Sequence, residues 1–234
     1  MIAGSTLLAF DFDGTLAPIH SDPAAVRIDR AAAVLLAETT RMEGVVVAVI
    51  SGRDADDLSE RIDAPGAYLV GSHGLEIRGP GGTFVRDTPP LAVSVHSELH
   101  REIAVSGLRL ESKKHALALH WRGVPYEAVA PVIAMFRDWA NDAHLDVIEG
   151  RCVVEARRHG GGKEEALRWL TRAVGASRVV YAGDDITDFG PLRFAAEHGR
   201  ALFVASSERE PPAGVTVVGS LRELFRLIRE EVRI

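Results

Sequence analysis

Leu7-Leu8-Ala9-Phe10-Asp11-Phe12-Asp13-Gly14-Thr15-Leu16 joins an apolar run to a pair of acids. The continuous run reads as a strand buried on both faces, which belongs in a parallel sheet covered by helices on either side. Asp11 and Asp13 stand two residues apart where that strand ends, and on an extended chain they share a face. Gly14 and Thr15 turn the chain away and leave backbone N–H groups beside the acids, which makes both candidate substrate contacts. Two acids held close repel unless a cation lies between them. A hard divalent ion such as Mg²⁺ fits, because it takes oxygen ligands and keeps positions open for phosphate. Taken alone, Asp-x-Asp-Gly is more often a capped, solvated turn; the rest of the chain weighs against that.

Three further apolar runs repeat the signal: Val45–Ile50, Ala67–Val70 and Val179–Ala182. Each is followed by Gly, Ser or Asp. Helical stripes lie between them, through Ile28, Ala32, Leu35 and Leu36, through Ala55, Leu58 and Ile62, and through Ala166, Leu167, Leu170 and Val174. Strand–helix–strand alternation predicts an α/β fold with a Rossmann-like, doubly wound parallel sheet. The middle third has another rhythm. Pro89-Pro90 breaks the chain, and a helical pattern runs from Leu91 to Val105. Two short alternating runs follow at Gly107–Glu111 and His115–Trp121, then a helix from Pro125 to Ala140. Two last runs, Leu145–Ile148 and Cys152–Ala156, are joined by Glu149-Gly150-Arg151. This αββαββ pattern predicts a small domain over 89–157 inserted into a core made of 1–88 and 158–234, with hinges near Pro89 and Gly160.

Composition narrows the function classes. At 234 residues with 47% hydrophobic content the chain can build a substantial core. A net charge of −6 without a basic block argues against nucleic acid as a partner. The single cysteine, Cys152, cannot form an internal disulfide and reads as a buried core thiol. No run approaches membrane-spanning length, and no cationic segment precedes the first apolar run. A monomeric cytoplasmic protein without a membrane partner is expected.

In open α/β sheets, sites form at the carboxyl ends of strands. Asp11 and Asp13 occupy the first such end, and Ser51-Gly52-Arg53 the second. The Ser51 hydroxyl and the following N–H groups could hold a phosphate oxygen, or Ser51 could simply cap the next helix. Lys163 follows Gly160-Gly161-Gly162 and opens a helix. A cation there opposes the helix dipole unless an anion neutralises it. The fourth end carries Asp184, Asp185 and Asp188, three acids in five residues, which again asks for a cation.

The order Asp-x-Asp-Gly-Thr, Ser-Gly-Arg, Lys, Gly-Asp-Asp-x-x-Asp resembles the four motifs of the haloacid-dehalogenase-like phosphatases. The whole chain resembles the trehalose-6-phosphate phosphatase family within them. Asp11–Ile19 (DFDGTLAPI) is similar to its opening motif, and Gly71-Ser72-His73-Gly74-Leu75-Glu76 to its post-strand segment. Glu111-Ser112-Lys113 with His120-Trp121-Arg122, and Val154-Glu155-Ala156-Arg157, resemble its cap signatures. The resemblance implies that Asp11 is the nucleophile, forming an aspartyl phosphate. It makes Asp13 the general acid and base. Ser51 and Lys163 hold phosphoryl oxygens, with Arg53 nearby on substrate. Mg²⁺ is held by Asp11, the Asp13 carbonyl and Asp184, with Asp185 and Asp188 farther out.

The resemblance assigns sugar recognition to the insert through Glu111, Lys113, Arg122 and Glu155. Spacing agrees in part: Glu111 and Lys113 lie two apart at a strand end and can project together. His73 reads as a turn residue, His120 as a core or cap-interface histidine, and Trp121 as a sugar platform or an apolar anchor. Two positions depart from the family pattern. Phe189-Gly190 stands where acids usually follow Thr-Asp, and Gly162-Lys163-Glu164 replaces Asp-Lys-Gly. Trehalose 6-phosphate is the expected substrate. Sucrose phosphate, mannosyl-glycerate phosphate or a pseudo-disaccharide phosphate are alternatives with the same chemistry, and a non-catalytic sugar-phosphate-binding regulator is the alternative from another class.

Overall fold

The computed structural model describes residues 5–20, 22–92, 94–150, 152–205 and 210–232. Along the chain run β1 (Ser5–Phe10), α1 (Arg30–Thr39), β2 (Val45–Ile50), α2 (Ala55–Arg61), β3 (Tyr68–Gly71), β4 (Glu76–Arg78) and β5 (Phe84–Asp87). Then come α3 (Ser97–Val105), β6 (Arg109–Ser112), β7 (Ala116–His120), α4 (Tyr126–Asp142), β8 (Asp146–Gly150) and β9 (Val153–Arg157). The chain closes with α5 (Lys163–Val174), β10 (Ala176–Gly183), α6 (Phe189–His198), β11 (Gly199–Val204), β12 (Thr216–Val218) and α7 (Leu221–Val232). Two compact units result, one reaching to Asp87 and resuming at Gly162, the other Thr88–Gly161.

The first unit is built on one sheet in the order β12-β11-β10-β1-β2-β3-β4-β5. The six strands from β12 to β3 are parallel, and β4 and β5 extend the sheet antiparallel. β1 lies between β10 and β2 because its apolar run can be buried on both faces. Leu8 and Phe10 face one layer with Leu35 and Leu36 of α1, Leu58 of α2, and Leu224 and Ile228 of α7. Leu7 and Ala9 face the other, with Leu167 and Leu170 of α5 and Leu192 of α6. Helices on both faces make the sheet doubly wound. Its central strands therefore deliver their carboxyl ends side by side: Ser51 after β2, Asp11 after β1 and Asp184 after β10.

The second unit is a four-stranded antiparallel sheet, β6-β7-β9-β8. Alternation sends Leu117, Leu119, Val154 and Ala156 into one core with Leu99, Ile103, Ile133 and Phe136 of α3 and α4. The opposite face takes Arg109, Glu111, Ala118, His120, Glu155 and Arg157. The sequence reading places the second boundary after Arg157, whereas the unit runs on to Gly161. Arg158 is still tied into it, its N–H donating to the His115 carbonyl and its guanidinium to that of Pro90.

Two expectations are corrected. The first helix of the insert starts at Ser97, not Leu91: the Leu91 N–H is held by the Lys114 carbonyl, and His96 caps the helix by accepting from the Leu99 N–H at 3.2 Å. Cys152 is half-buried rather than in the core, since it sits in the β8–β9 turn with φ at 57°. Among the described residues no helix is long and apolar enough to cross a membrane.

Candidate active site

Asp11, Asp184 and Asp188 each place a carboxylate oxygen within 4.8 Å of the others, and all three residues are buried. Lys163, the first residue of α5, reaches into this group. Its ammonium donates to Asp11 Oδ1 at 2.6 Å and to Asp188 Oδ1 at 2.8 Å. The two carboxylates answer the unfavourable position of a cation at a helix N-terminus. Burial works against the charged lysine, yet the charges and hydrogen bonds of Asp11 and Asp188 outweigh it and hold its pKa above the ordinary value. Asp11 is pushed well up, by burial first and by the charges of Asp188 and Asp184, with Lys163 opposing.

Asp188 is saturated by protein donors. Its Oδ1 accepts from Lys163 and from the Tyr181 hydroxyl at 2.7 Å, and its Oδ2 from the N–H groups of Asp184 and Asp185 at 3.1 Å each. A carboxylate has about four lone-pair sites, and these bonds use them. Asp185 is exposed, and its side chain caps the short turn that carries Asp188. Tyr181 is fully buried, and burial followed by the Asp188 charge raises its pKa, so it remains a neutral donor.

The donor set suits a hard divalent cation. One lysine faces three buried acids, so charge is left to neutralise, and the donors are oxygens. Gly14 opens the space for it. Its φ is 89°, and a Cβ there would lie 2.1 Å from Asp184 Oδ2. The Gly14 N–H, however, is taken by the Ala17 carbonyl at 2.8 Å and the Thr15 N–H by that of Phe12 at 3.4 Å. Those two residues shape the loop rather than offering N–H groups to substrate, and the Thr15 hydroxyl points at Asp184 Oδ1 at 3.4 Å.

The Asp13 carboxylate is not part of the buried group that holds Asp11. Extended geometry ends at Phe10, and the N–H groups of Leu16 and Ala17 fold back onto the Phe12 carbonyl. The Asp13 carboxylate accepts instead from Arg53, Nε to Oδ2 and Nη2 to Oδ1, both at 2.7 Å. Arg53, expected on substrate, is thus spoken for by an acid, and its Nη1 donates to Asp57 Oδ2 at 2.9 Å. Ser51 is buried, and its Oγ accepts the Arg53 N–H at 3.2 Å. The cap position of α2 belongs to Asp54, so Ser51 is not its cap.

The Ser51-Gly52-Arg53 loop is strapped by the segment after β3. The Ser72 N–H donates to the Arg53 carbonyl at 2.7 Å and the His73 N–H to that of Ser51 at 2.9 Å, with Ser72 and His73 at φ of 48° and 55°. His73 is the expected turn residue. Glu76 escapes sequence reasoning: fully buried, its Oε2 accepts from the Ala55 N–H at 3.1 Å and from the Ser72 hydroxyl at 3.0 Å. A lone acid inside Leu75-Glu76-Ile77 was the available signal, as was the single hydroxyl of Tyr181 within its apolar strand.

The two departures from the family pattern meet in one place. A Cβ on Gly190 would lie 2.4 Å from Glu164 Oε2. The acid after Lys163 fills the space that a side chain at position 190 would occupy.

In the second unit Glu111 and Glu155 both pair in register with Ala118, so they share the face opposite the helices. The Lys113 ammonium is hydrogen-bonded to Glu155, and His120 Nε2 lies 2.9 Å from Glu111 Oε2. His120 is thus in this polar group rather than in the core. Burial and then Arg109 lower its pKa against the pull of Glu111. Trp121 packs against the unit's apolar core, while Arg122 is exposed beyond the end of β7 and is not brought into the group.

Lys163→Met should cost about 3–5 kcal/mol in urea unfolding at neutral pH in EDTA, because it leaves buried carboxylates unanswered. The deficit should narrow as pH falls: without Lys163, Asp11 loses the cation that lowers its pKa, so its protonation stabilises the variant more than the wild type.

The trehalose-phosphatase family model matches residues 9–206. A trehalose-phosphate phosphatase of Mycobacterium avium is 35% identical, aligned over 85% of this chain and 54% of its own length. A protein of Mycobacterium tuberculosis described as an uncharacterized glycosyl hydrolase is 34% identical over 95% of this chain but 18% of its own. The chain therefore spans about half the length of the phosphatase and under a fifth of the other relative. Among solved structures, a trehalose-6-phosphate phosphatase of Aspergillus fumigatus aligns with a TM-score of 0.69 at 25% identity, covering 99% of this chain and 93% of that one. The C-terminal domain of the C. albicans trehalose-6-phosphate phosphatase aligns at 0.74 with 19% identity, covering 99% and 93%, a likeness of fold. The chain belongs to the trehalose-phosphatase family.

Proposed function

We propose that this chain hydrolyses trehalose 6-phosphate to trehalose and phosphate, with Asp11 as nucleophile and Mg²⁺ as cofactor. The observation that carries the reading is the Lys163 ammonium seated between the buried Asp11 and Asp188 carboxylates. Lys163 opposes the burial that disfavours a charged Asp11 and aims its carboxylate, and its remaining N–H, with the Ser51 hydroxyl, would serve phosphoryl oxygens, where charge resides in the transition state. Asp11 attacks phosphorus and the sugar oxygen leaves with a proton from Asp13; Asp13 then takes a proton from the water that cleaves the aspartyl phosphate. For either step one of the two Arg53 bonds to Asp13 must open. Asp11, Asp184 and the Asp13 carbonyl would hold Mg²⁺, with Asp188 fixing Lys163 and the backbone of Asp184 instead of coordinating directly. When bound, the ion supplies positive charge against the phosphate and the acids around it.

The second unit supplies sugar recognition in this reading. Glu111, Lys113 and Glu155 gather acids and a cation on one sheet face, a pattern that bonds vicinal hydroxyls, and Arg122 joins them only by a change of conformation. His120, held on Glu111, belongs with the same group.

Phosphate release over a panel of sugar phosphates tests the reading. Trehalose 6-phosphate should be the preferred substrate, Asp11→Asn should abolish its turnover, and EDTA should do the same reversibly with Mg²⁺. Retained activity in Asp11→Asn would refute the nucleophile. Glu155→Ala should lower kcat/KM for trehalose 6-phosphate by about tenfold or more, the scale of one or two charged hydrogen bonds, while hydrolysis of p-nitrophenyl phosphate stays near wild type; equal losses on both would remove the sugar role.

A further inference from the structure

Four alternating charges run from the loop after β1 to the last residue of α2: Asp13, Arg53, Asp57 and Arg61. Arg53 grips both Asp13 oxygens with Nε and Nη2, and its Nη1 donates to Asp57 at 2.9 Å. Arg61 grips Asp57 in turn, Nε to Oδ2 at 2.9 Å and Nη2 to Oδ1 at 2.6 Å. The Arg61 Nη1 is tied to the Val26 carbonyl at 2.6 Å, and to that of Ala24 at 3.3 Å. The two arginines are the better-buried members, with side chains 14% and 11% exposed against 39% for Asp13 and 32% for Asp57. The Arg53 guanidinium also lies over the Phe12 ring, 5.6 Å from its centroid.

We infer that Asp57 is a positioning residue for Asp13, acting through Arg53, and that Arg61 anchors it. This rests on the reading of Asp13 as the group that protonates the sugar oxygen. Asp13 lies beyond the end of β1, so no strand fixes its carboxylate; the Arg53 fork does. An arginine has many rotamers, and a fork held only by Asp13 would move with it. Asp57 pins the fork at its far nitrogen. When one Arg53–Asp13 bond opens for proton transfer, the other bond and the Asp57 contact keep the carboxyl pointed along one direction. Asp57 stands in the first turn of α2, where the helix dipole favours an acid. Hydrogen bonds from Arg61, partly offset by burial, and then from Arg53 hold its carboxyl below the ordinary carboxylate range, so it stays charged.

The step at stake is the first one. The Asp11–phosphorus bond forms, the phosphorus–sugar oxygen bond breaks, and the Asp13 proton passes to that oxygen. An aryl phosphate makes the same bonds but has a leaving group that needs no proton. The test therefore compares kcat/KM for trehalose 6-phosphate and for p-nitrophenyl phosphate. Asp57→Asn should lose about 10- to 100-fold on the sugar phosphate, part of what a general acid contributes, and less than about twofold on the aryl phosphate. Asp57→Glu should recover part of the loss with KM unchanged. Arg61→Gln, which leaves the Arg53–Asp57 contact in place, should show the same selectivity at smaller size and serves if Asp57→Asn folds poorly. Equal losses on both substrates, no loss, or a gain in turnover would overturn the inference, the last by making the ladder a lock on Asp13. A wild-type chain inactive on both substrates would instead overturn the phosphatase reading, and this role with it.

Discussion

One ammonium group between two buried carboxylates organises the first unit. Taking a carboxylate out of water is costly unless it is paired and hydrogen-bonded, and here three acids are buried in one place. Lys163 answers two of them, and the rest of the local structure follows from making that possible. α5 must begin at Lys163, so the preceding segment is glycine. β1 and β10 must be neighbours, so that Asp11 and the Asp184–Asp188 turn arrive together. Gly183 must lack a side chain, because a Cβ there would lie 2.4 Å from Asp188 Cγ. Tyr181, two residues earlier in β10, must be a tyrosine and not merely an aromatic, since its hydroxyl completes the shell around Asp188.

The acids nevertheless differ in kind. Asp188 spends its lone pairs on the protein and serves as a rivet between α5, β10 and the turn after it. Asp11 and Asp184 face the same space with the backbone opened by Gly14. The negative charge that Lys163 leaves over is confined to that space, where a divalent cation and a phosphate dianion could balance it together. The Glu164–Gly190 contact belongs to the same logic. The acid next to Lys163 packs over the first turn of α6, so the lysine's own helix places a carboxylate beside Gly190.

Much of the first unit was legible because burial on both faces leaves an unbroken apolar run. Leu7–Phe10, Val45–Ile50 and Val179–Ala182 all became strands, and the polar residues after them, Asp11, Ser51 and Asp184, marked the candidate site. Ala201-Leu202-Phe203-Val204 carries the same signal and passed unread, along with α6 and α7. β4 and β5 give little signal: the first is three residues long and the second largely exposed, so neither alternates over enough positions. Asp11, Asp184, Asp188 and Lys163, singled out by motif spacing, lie together in the structure. Spacing alone does not show that Arg53 holds Asp13, because β1 ends at Phe10 and the chain turns beyond it. It also could not foresee Glu76 or the Arg53–Asp57–Arg61 series, where partners on different elements decide the contact.

The turn at Phe12 has a chemical consequence. Had the strand continued, Asp11 and Asp13 would have been two equivalent acids in one buried cluster, competing for the same cation. The bend gives them different surroundings instead. Asp11 is enclosed with Lys163 and can act as an acceptor aimed by one cation. Asp13 keeps access to water and is held by a planar guanidinium. In the double displacement proposed above, that asymmetry would let one carboxylate become esterified while the other changes protonation. The fold creates it by stopping β1 one residue before the first acid.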